Sequence, residues 1–227
     1  MNTNNAILAL GCAAIMTAIG SGTSEAGPPP ESSRGTTLEE DFETYVGSDR
    51  DPVIRNFRQR GQDAVAFLAR KMESEDLTSR VKALGLLRQM GPPFAGSPTG
   101  IAALCTVLND PDTNLRSIAA RTLGELGPQA KAAIPMLIKA ISTGTNVSGV
   151  WALGRIGPEA KAALPVLEPK MTQRTGLERL YAAGAVWKIT GDNAEAKKVI
   201  ETALADPDRH VRMMATNAVR SLELRLR

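Results

Sequence analysis

The chain has 227 residues, 43% of them hydrophobic and 22% charged, with a formal net charge of +3. These proportions are ordinary for a soluble globular protein, and the mild positive excess is compatible with an anionic partner without calling for one. Aromatic residues make up only 4%, so Ala, Leu, Ile and Val must fill the core, which suits closely spaced helices better than a thick two-layer core.

Residues 1–26 read as an export signal. A polar start, Met1 to Asn5, leads into the apolar run Ile7 to Ile19 and then to Ser24-Glu25-Ala26. Small residues at Ser24 and Ala26 suit cleavage before Gly27. The start carries no Lys or Arg, and glycines interrupt the run. Thirteen apolar residues are too few to span a bilayer comfortably, so membrane association is expected only if the segment stays uncleaved or is lipidated. Gly11-Cys12 ends like a lipidation motif, but only five apolar residues lead into it. Once the segment is removed, Cys105 is the sole cysteine, which precludes an internal disulfide and fits a small buried hydrophobe in an Ala/Leu-rich helix. Gly27 to Thr36 is a Pro/Gly/Ser linker that cannot bury apolar area and is expected to be disordered.

Order is expected from Thr37. Thr37 and Glu40 are spaced as a capping box, each side chain satisfying an orphan amide at a helix start. From there to the C-terminus the segments read as helices, without an alternating strand pattern or a strong hairpin dipeptide.

The strongest signal is self-similarity. Leu123 opens LGELGPQAKAAIPMLIKA, and thirty residues later Leu153 opens LGRIGPEAKAALPVLEPK. A fixed offset of this kind marks stacked helical repeats. Anchoring each unit on an apolar residue near the end of its second helix selects Phe57, Leu87, Leu123, Leu153, Val186 and Val219, separated by 30, 36, 30, 33 and 33 residues. The unit is clear in five places and vestigial at Phe57. Around each anchor the apolar positions follow the i, i+3, i+4, i+7 stripe of a one-sided helix, as in Ala119, Thr122, Leu123 and Leu126. Asp110-Pro111 and Asp206-Pro207 read as N-caps followed by a first-turn proline, and Asp192 with Glu195 as a further cap. Gly127 and Gly157 end helices, with Pro128 and Pro158 preventing continuation. Pro135 and Pro165 lie inside the next apolar segment, where the helix should restart or kink. Met90 to Gly100 reads as a loop insertion.

Seven residues before the anchors stand Arg80, Arg116, Arg179 and Arg212, with Asn146 breaking the series. Four residues earlier Asp76, Asp112 and Asp208 recur, while Ser142 and Thr175 do not keep the acid.

The units DPDTNLRSIAARTLGELGPQAKAAIPML and WALGRIGPEAKAALPVL resemble the short bacterial HEAT-like repeats of the phycobilisome-lyase HEAT family. The resemblance covers about residues 50–227 and is strongest over 105–168. It implies an all-α, right-handed solenoid of about five helix pairs over residues 37–227, with second helices lining a concave side. It also implies that the recurring Asp and Arg form a structural ladder between neighbouring repeats, interrupted at Asn146.

Catalytic chemistry finds little support in the residues. His210 is the only histidine, beside Arg212 at a helix start, where a surface role is expected rather than a general base. Cys/His metal sites are excluded by count, no nucleophile elbow or phosphate-cradling glycine motif occurs, and no carboxylate pair stands out beyond caps and ladder positions. No catalytic, cofactor or metal residues are assigned. The candidate partner-binding residues are Arg121, Trp151, Arg155, Trp187 and Lys188 on the second helices. The two tryptophans allow two readings. Trp151 sits level with Gly184 and Trp187 with Gly154, which predicts a crossed Trp/Gly interlock; alternatively both rings are anchors for a partner. The positive stripe around them is too diluted for a phosphate track, so nucleic acid is disfavoured. The expectation is an exported, monomeric, non-catalytic scaffold for an unidentified protein. The runner-up is an accessory subunit or chaperone of an enzyme, since the resembled family includes subunits of bilin lyases.

Overall fold

A computed structural model describes residues 36–47, 52–143, 147–173 and 175–221. The expected export segment, the linker through residue 35, Asn146 and the C-terminal Arg225 and Arg227 lie outside them. Every regular element among the described residues is helical, and none is long and apolar enough to cross a membrane. Where the sequence reading expects one solenoid over 37–227, the chain divides into two compact units at Met90/Gly91.

The first unit holds α1 (Leu38–Thr44), α2 (Pro52–Arg60), α3 (Gln62–Lys71) and α4 (Leu77–Met90). The expected capping box opens α1: the Thr37 amide donates to Glu40 Oε2 at 2.8 Å and the Glu40 amide to Thr37 Oγ1 at 3.2 Å. Phe57, the anchor of the faintest unit, belongs to a dense aromatic core. Its ring meets Phe67 edge-on at 6.0 Å, Phe67 meets Phe42 at 5.6 Å, and Phe42 and Phe57 are fully buried. Edge-to-face pairing adds about 0.5–1.5 kcal/mol to simple burial. Three of the chain's four phenylalanines are concentrated here, so this unit uses aromatic volume where the later repeats use Ala and Leu.

The second unit begins with a short helix α5 (Pro92–Ala95), and Ser97 then caps α6 (Pro98–Val107) by accepting the Gly100 amide at 3.1 Å. The stretch expected as an inserted loop is therefore largely helical, because Pro93 and Pro98 sit in first helical turns, where a missing amide removes no bond. There follow α7 (Thr113–Leu126), α8 (Ile134–Ser142), α9 (Val147–Ile156), α10 (Leu164–Gln173), α11 (Gly176–Thr190), α12 (Ala194–Ala203) and α13 (Arg209–Ser221). The second helices α7, α9, α11 and α13 form one row, each packed on the next, while α6, α8, α10 and α12 back them. This is the stack of helix pairs that the repeats predict.

Gly127 and Gly157 adopt φ of +59° and +78° and turn the chain out of α7 and α9. A 3₁₀ segment follows each, and the α-helix restarts at Ile134 and at Leu164, with Pro135 and Pro165 in the tolerant first turn. Three expected caps move. Asn193, not Asp192, opens α12 by accepting the Ala196 amide at 2.9 Å. Helices α7 and α13 are capped by Asp112 and Asp208, two residues after the Asp-Pro acids. Leu87, Leu123, Leu153 and Val186 are fully buried, and Val219 is half-buried in the last described helix.

Candidate functional site

The recurring Asp and Arg act within single repeats. Asp76, Asp112 and Asp208 each accept a backbone amide of the helix they precede: Ser79 at 2.8 Å, Asn114 at 2.7 Å and His210 at 2.7 Å. Four residues on, the arginine folds back onto the two carbonyls before the cap. Arg116 Nη1 donates to Asp110 O at 2.7 Å and Pro111 O at 2.9 Å. Arg80 does the same to Ser74 O and Glu75 O, and Arg212 to Asp206 O and Pro207 O. A further acceptor two residues before the cap, Ser74, Asp110 or Asp206, takes the cap residue's own amide. Ser79 is the main reason the Asp76 carboxyl lies below its ordinary range, through its amide first and its hydroxyl next; Arg80 is the weakest cause. The geometry is a clasp around each helix start, where the family resemblance implied rungs between repeats. Arg179 stands apart: its Nε is buried with no hydrogen-bond partner among the described residues. Thr175 before it makes no side-chain cap, and a largely buried Lys170–Glu178 pair at 3.2 Å ties α10 to α11 instead.

The tryptophan expectation is corrected by the seams between second helices. A Cβ added to Gly124 would lie 2.4 Å from Trp151 Cζ3 and 2.9 Å from Ala152 Cα. Trp151 therefore covers the glycine of the preceding repeat, not Gly184. A Cβ on Gly154 would meet the Ala185 Cα at 2.8 Å, so backbone rather than Trp187 fills that position. Around Gly184 no atom of the described residues lies within 4 Å of an added Cβ. The physical reason is stagger: neighbouring second helices pack offset, so level positions do not oppose one another.

That stagger leaves a hollow of about 190 Å³ on the second-helix face, floored by Gly154, Gly184 and Ala185. Trp151, Leu180 and Tyr181 wall one part, Met214 and Asn217 of α13 another, and Lys188 stands at its edge. On the far side of Trp151 a second depression is bordered by Arg121 and Tyr181. The structure thus gathers Trp151 and Lys188 around one feature, with Arg121 and Arg155 beside it. Trp187 is half-buried and outside the lining. Tyr181 and Met214 were missed from the sequence; the signal available was Tyr181's place five residues before the anchor Val186, facing the unfilled Gly184.

The face is electropositive. Burial holds the Lys188 ammonium below the usual lysine range, and repulsion from Arg155 adds to this. The Arg155 guanidinium rests 5.8 Å from the Trp151 ring centroid. Arg121 is matched by Glu125 at 3.4 Å, an exposed i, i+4 pair. Elsewhere Cys105 is buried, and His210 is exposed at the start of α13.

The HEAT repeats family matches residues 101–186, the part of the chain where the sequence repeat is clearest. No curated protein matches the sequence. Among solved structures, the chain is similar to one described as the complex of CpcE and CpcF of phycocyanin lyase from Nostoc sp. PCC7120. The TM-score is 0.57 at 22% identity, over 89% of this chain and 83% of that one. At that identity the likeness establishes the fold.

Two outcomes test this geometry. Gly124→Ala should destabilise by about 1–3 kcal/mol, because its methyl meets a ring and backbone that cannot yield. Gly184→Ala should instead stabilise by about 0.5–1 kcal/mol, since the helix gains and nothing clashes; urea unfolding of both variants decides. Lys188→Met should be more stable than the wild type at neutral pH, because the fold disfavours the charged amine. The gap is full below the depressed native pKa and closes as pH rises through it toward the ordinary lysine range. A gap independent of alkaline pH contradicts the assignment.

Proposed function

Since the chain is a HEAT-like repeat protein, we propose that it is a non-catalytic adaptor that binds another protein through the second-helix face of its second unit. The observation that carries this reading is the hollow beside Trp151, a concave apolar patch with Lys188 at its edge and Arg155 beside it. Interface centres favour aromatic anchors in desolvated pockets, with Trp, Tyr and Arg over-represented. The hollow is also smaller than the roughly 300–1,000 Å³ of small-molecule sites, so it suits a side chain of a macromolecular partner better than a whole small molecule. The charges serve as steering and selection against basic surfaces.

A second reading is an accessory subunit of an enzyme. Its support is the fold shared with a structure described as a complex of two lyase components. Both readings need a protein partner, and the identity of that partner separates them: an enzyme or a homologous repeat protein favours the second. We further propose that the protein is exported, on the strength of the apolar run and the Ser24/Ala26 pattern.

The full chain used as bait should retain its partner, and the double variant Arg155→Glu/Lys188→Glu should lose about tenfold or more in affinity with its thermal midpoint preserved. Undiminished capture by the double variant refutes the assigned face. Peptide mapping of the protein from its native source should find Gly27 at the N-terminus; retention of Met1 to Ala26 refutes export by cleavage.

A further inference from the structure

We propose that the hollow over Gly154 and Gly184 is a receptacle for one aromatic side chain of a partner segment flanked by acidic residues. This rests on the adaptor reading above and specifies its chemistry.

Trp151 stands two residues before the anchor Leu153, and its ring lies over Gly124. One repeat later the same site is Gly184. The hollow therefore stands where a tryptophan ring stands one repeat earlier. Its volume agrees. A cavity of about 150 Å³ lined by apolar side chains holds a benzene molecule, so about 190 Å³ takes a single ring or a comparable side chain. It has no room for an extended multi-ring compound.

Gly184 itself is the second line. Gly124 and Gly154 are required, because a Cβ at either meets its neighbour below 3.0 Å. Gly184 has no such neighbour, and it does not adopt positive φ. An interior helical glycine costs about 0.5–1 kcal/mol against alanine, and no packing contact among the described residues offsets that cost. Leaving the position bare is accounted for by keeping the hollow open.

Charge selects the flanks. Lys188 is the one charged residue lining the hollow among the described residues, and Arg155 reinforces its positive field. Arg121 already has Glu125. A carboxylate beside the inserted ring would relieve the Lys188–Arg155 repulsion. The chain's own remaining segments fit poorly: residues 222–227, LELRLR, carry no aromatic and are net positive, and residues 27–35 carry no aromatic either. The large apolar side chains exposed among the described residues are Val46, Leu77, Val81 and Met213, so a second copy offers no fully exposed aromatic ring.

A random peptide library panned against the immobilised full chain, its Gly184→Leu variant and its Lys188→Glu variant tests the proposal. The wild type should enrich peptides with Phe, Tyr or Trp next to Asp or Glu. Gly184→Leu should fold with an unchanged or raised thermal midpoint and bind those peptides about tenfold or more weakly. Lys188→Glu should lose the preference for acidic flanks while still selecting the aromatic, which tests the site even if the leucine variant fails to fold. No enrichment, equal enrichment on all three baits, enrichment without an aromatic, competition by the peptide LELRLR, or self-association abolished by Gly184→Leu would each overturn the receptacle. Partner capture that is lost in Arg155→Glu/Lys188→Glu yet insensitive to Gly184→Leu overturns the receptacle and leaves the adaptor reading standing. Failure of the full chain to capture any protein removes the adaptor reading itself.

Discussion

The second unit depends on how closely neighbouring second helices can approach. Ala119, Ala120, Ala152, Ala182 and Ala183 are fully buried along α7, α9 and α11, and Gly124 and Gly154 lie at the tightest points. Small residues let ridges and grooves interlock at short interaxial distance, and the interior then has no slack for an added methyl. A large side chain on one helix must face a glycine on the next. Trp151 and Gly124 meet that condition; Gly154 meets it with the Ala185 backbone. The hollow is the by-product of this arithmetic at the seam between Gly154 and Gly184.

Because the hollow is floored by helix backbone rather than by loops, its shape is set by elements that the core already holds rigid. Lys188 illustrates the consequence. Its ammonium is held at the edge of packed helices, where burial and Arg155 both oppose its charge. Such a cation is poorly solvated before anything binds, so an arriving carboxylate exchanges less water than it would at a fully exposed lysine.

The features legible in the sequence were those decided within one turn of chain. The doubled Leu123–Leu167 segment, the Gly-Pro helix ends, the restarts at Pro135 and Pro165, and the Thr37/Glu40 capping box all follow from local sterics and local hydrogen bonding. The caps at Asp112, Asp208 and Asn193 stand one or two residues beyond the expected ones because two nearby polar side chains could each accept the free amides, and the helix's exact phase chose between them. The Trp partners were misassigned for a deeper reason. Which residue faces which across a seam depends on the stagger between helices, a quantity absent from spacing along either helix. The Phe42–Phe57–Phe67 cluster was hidden because the repeat template looks for Ala and Leu, and this unit solves the same packing problem with rings.

The clasp around each helix start bears on how such a chain acquires its structure. Arg80, Arg116 and Arg212 close on carbonyls only five and six residues back. Loops that short carry little closure entropy and need no neighbouring repeat to be present. Three helix starts can therefore be fixed independently, before the second-helix row assembles. In an array whose repeats touch mainly their neighbours, folding can nucleate at any such point and spread outward. Local contacts of this short range favour fast folding, and they let assembly begin at any of the three clasps rather than follow the direction of the chain.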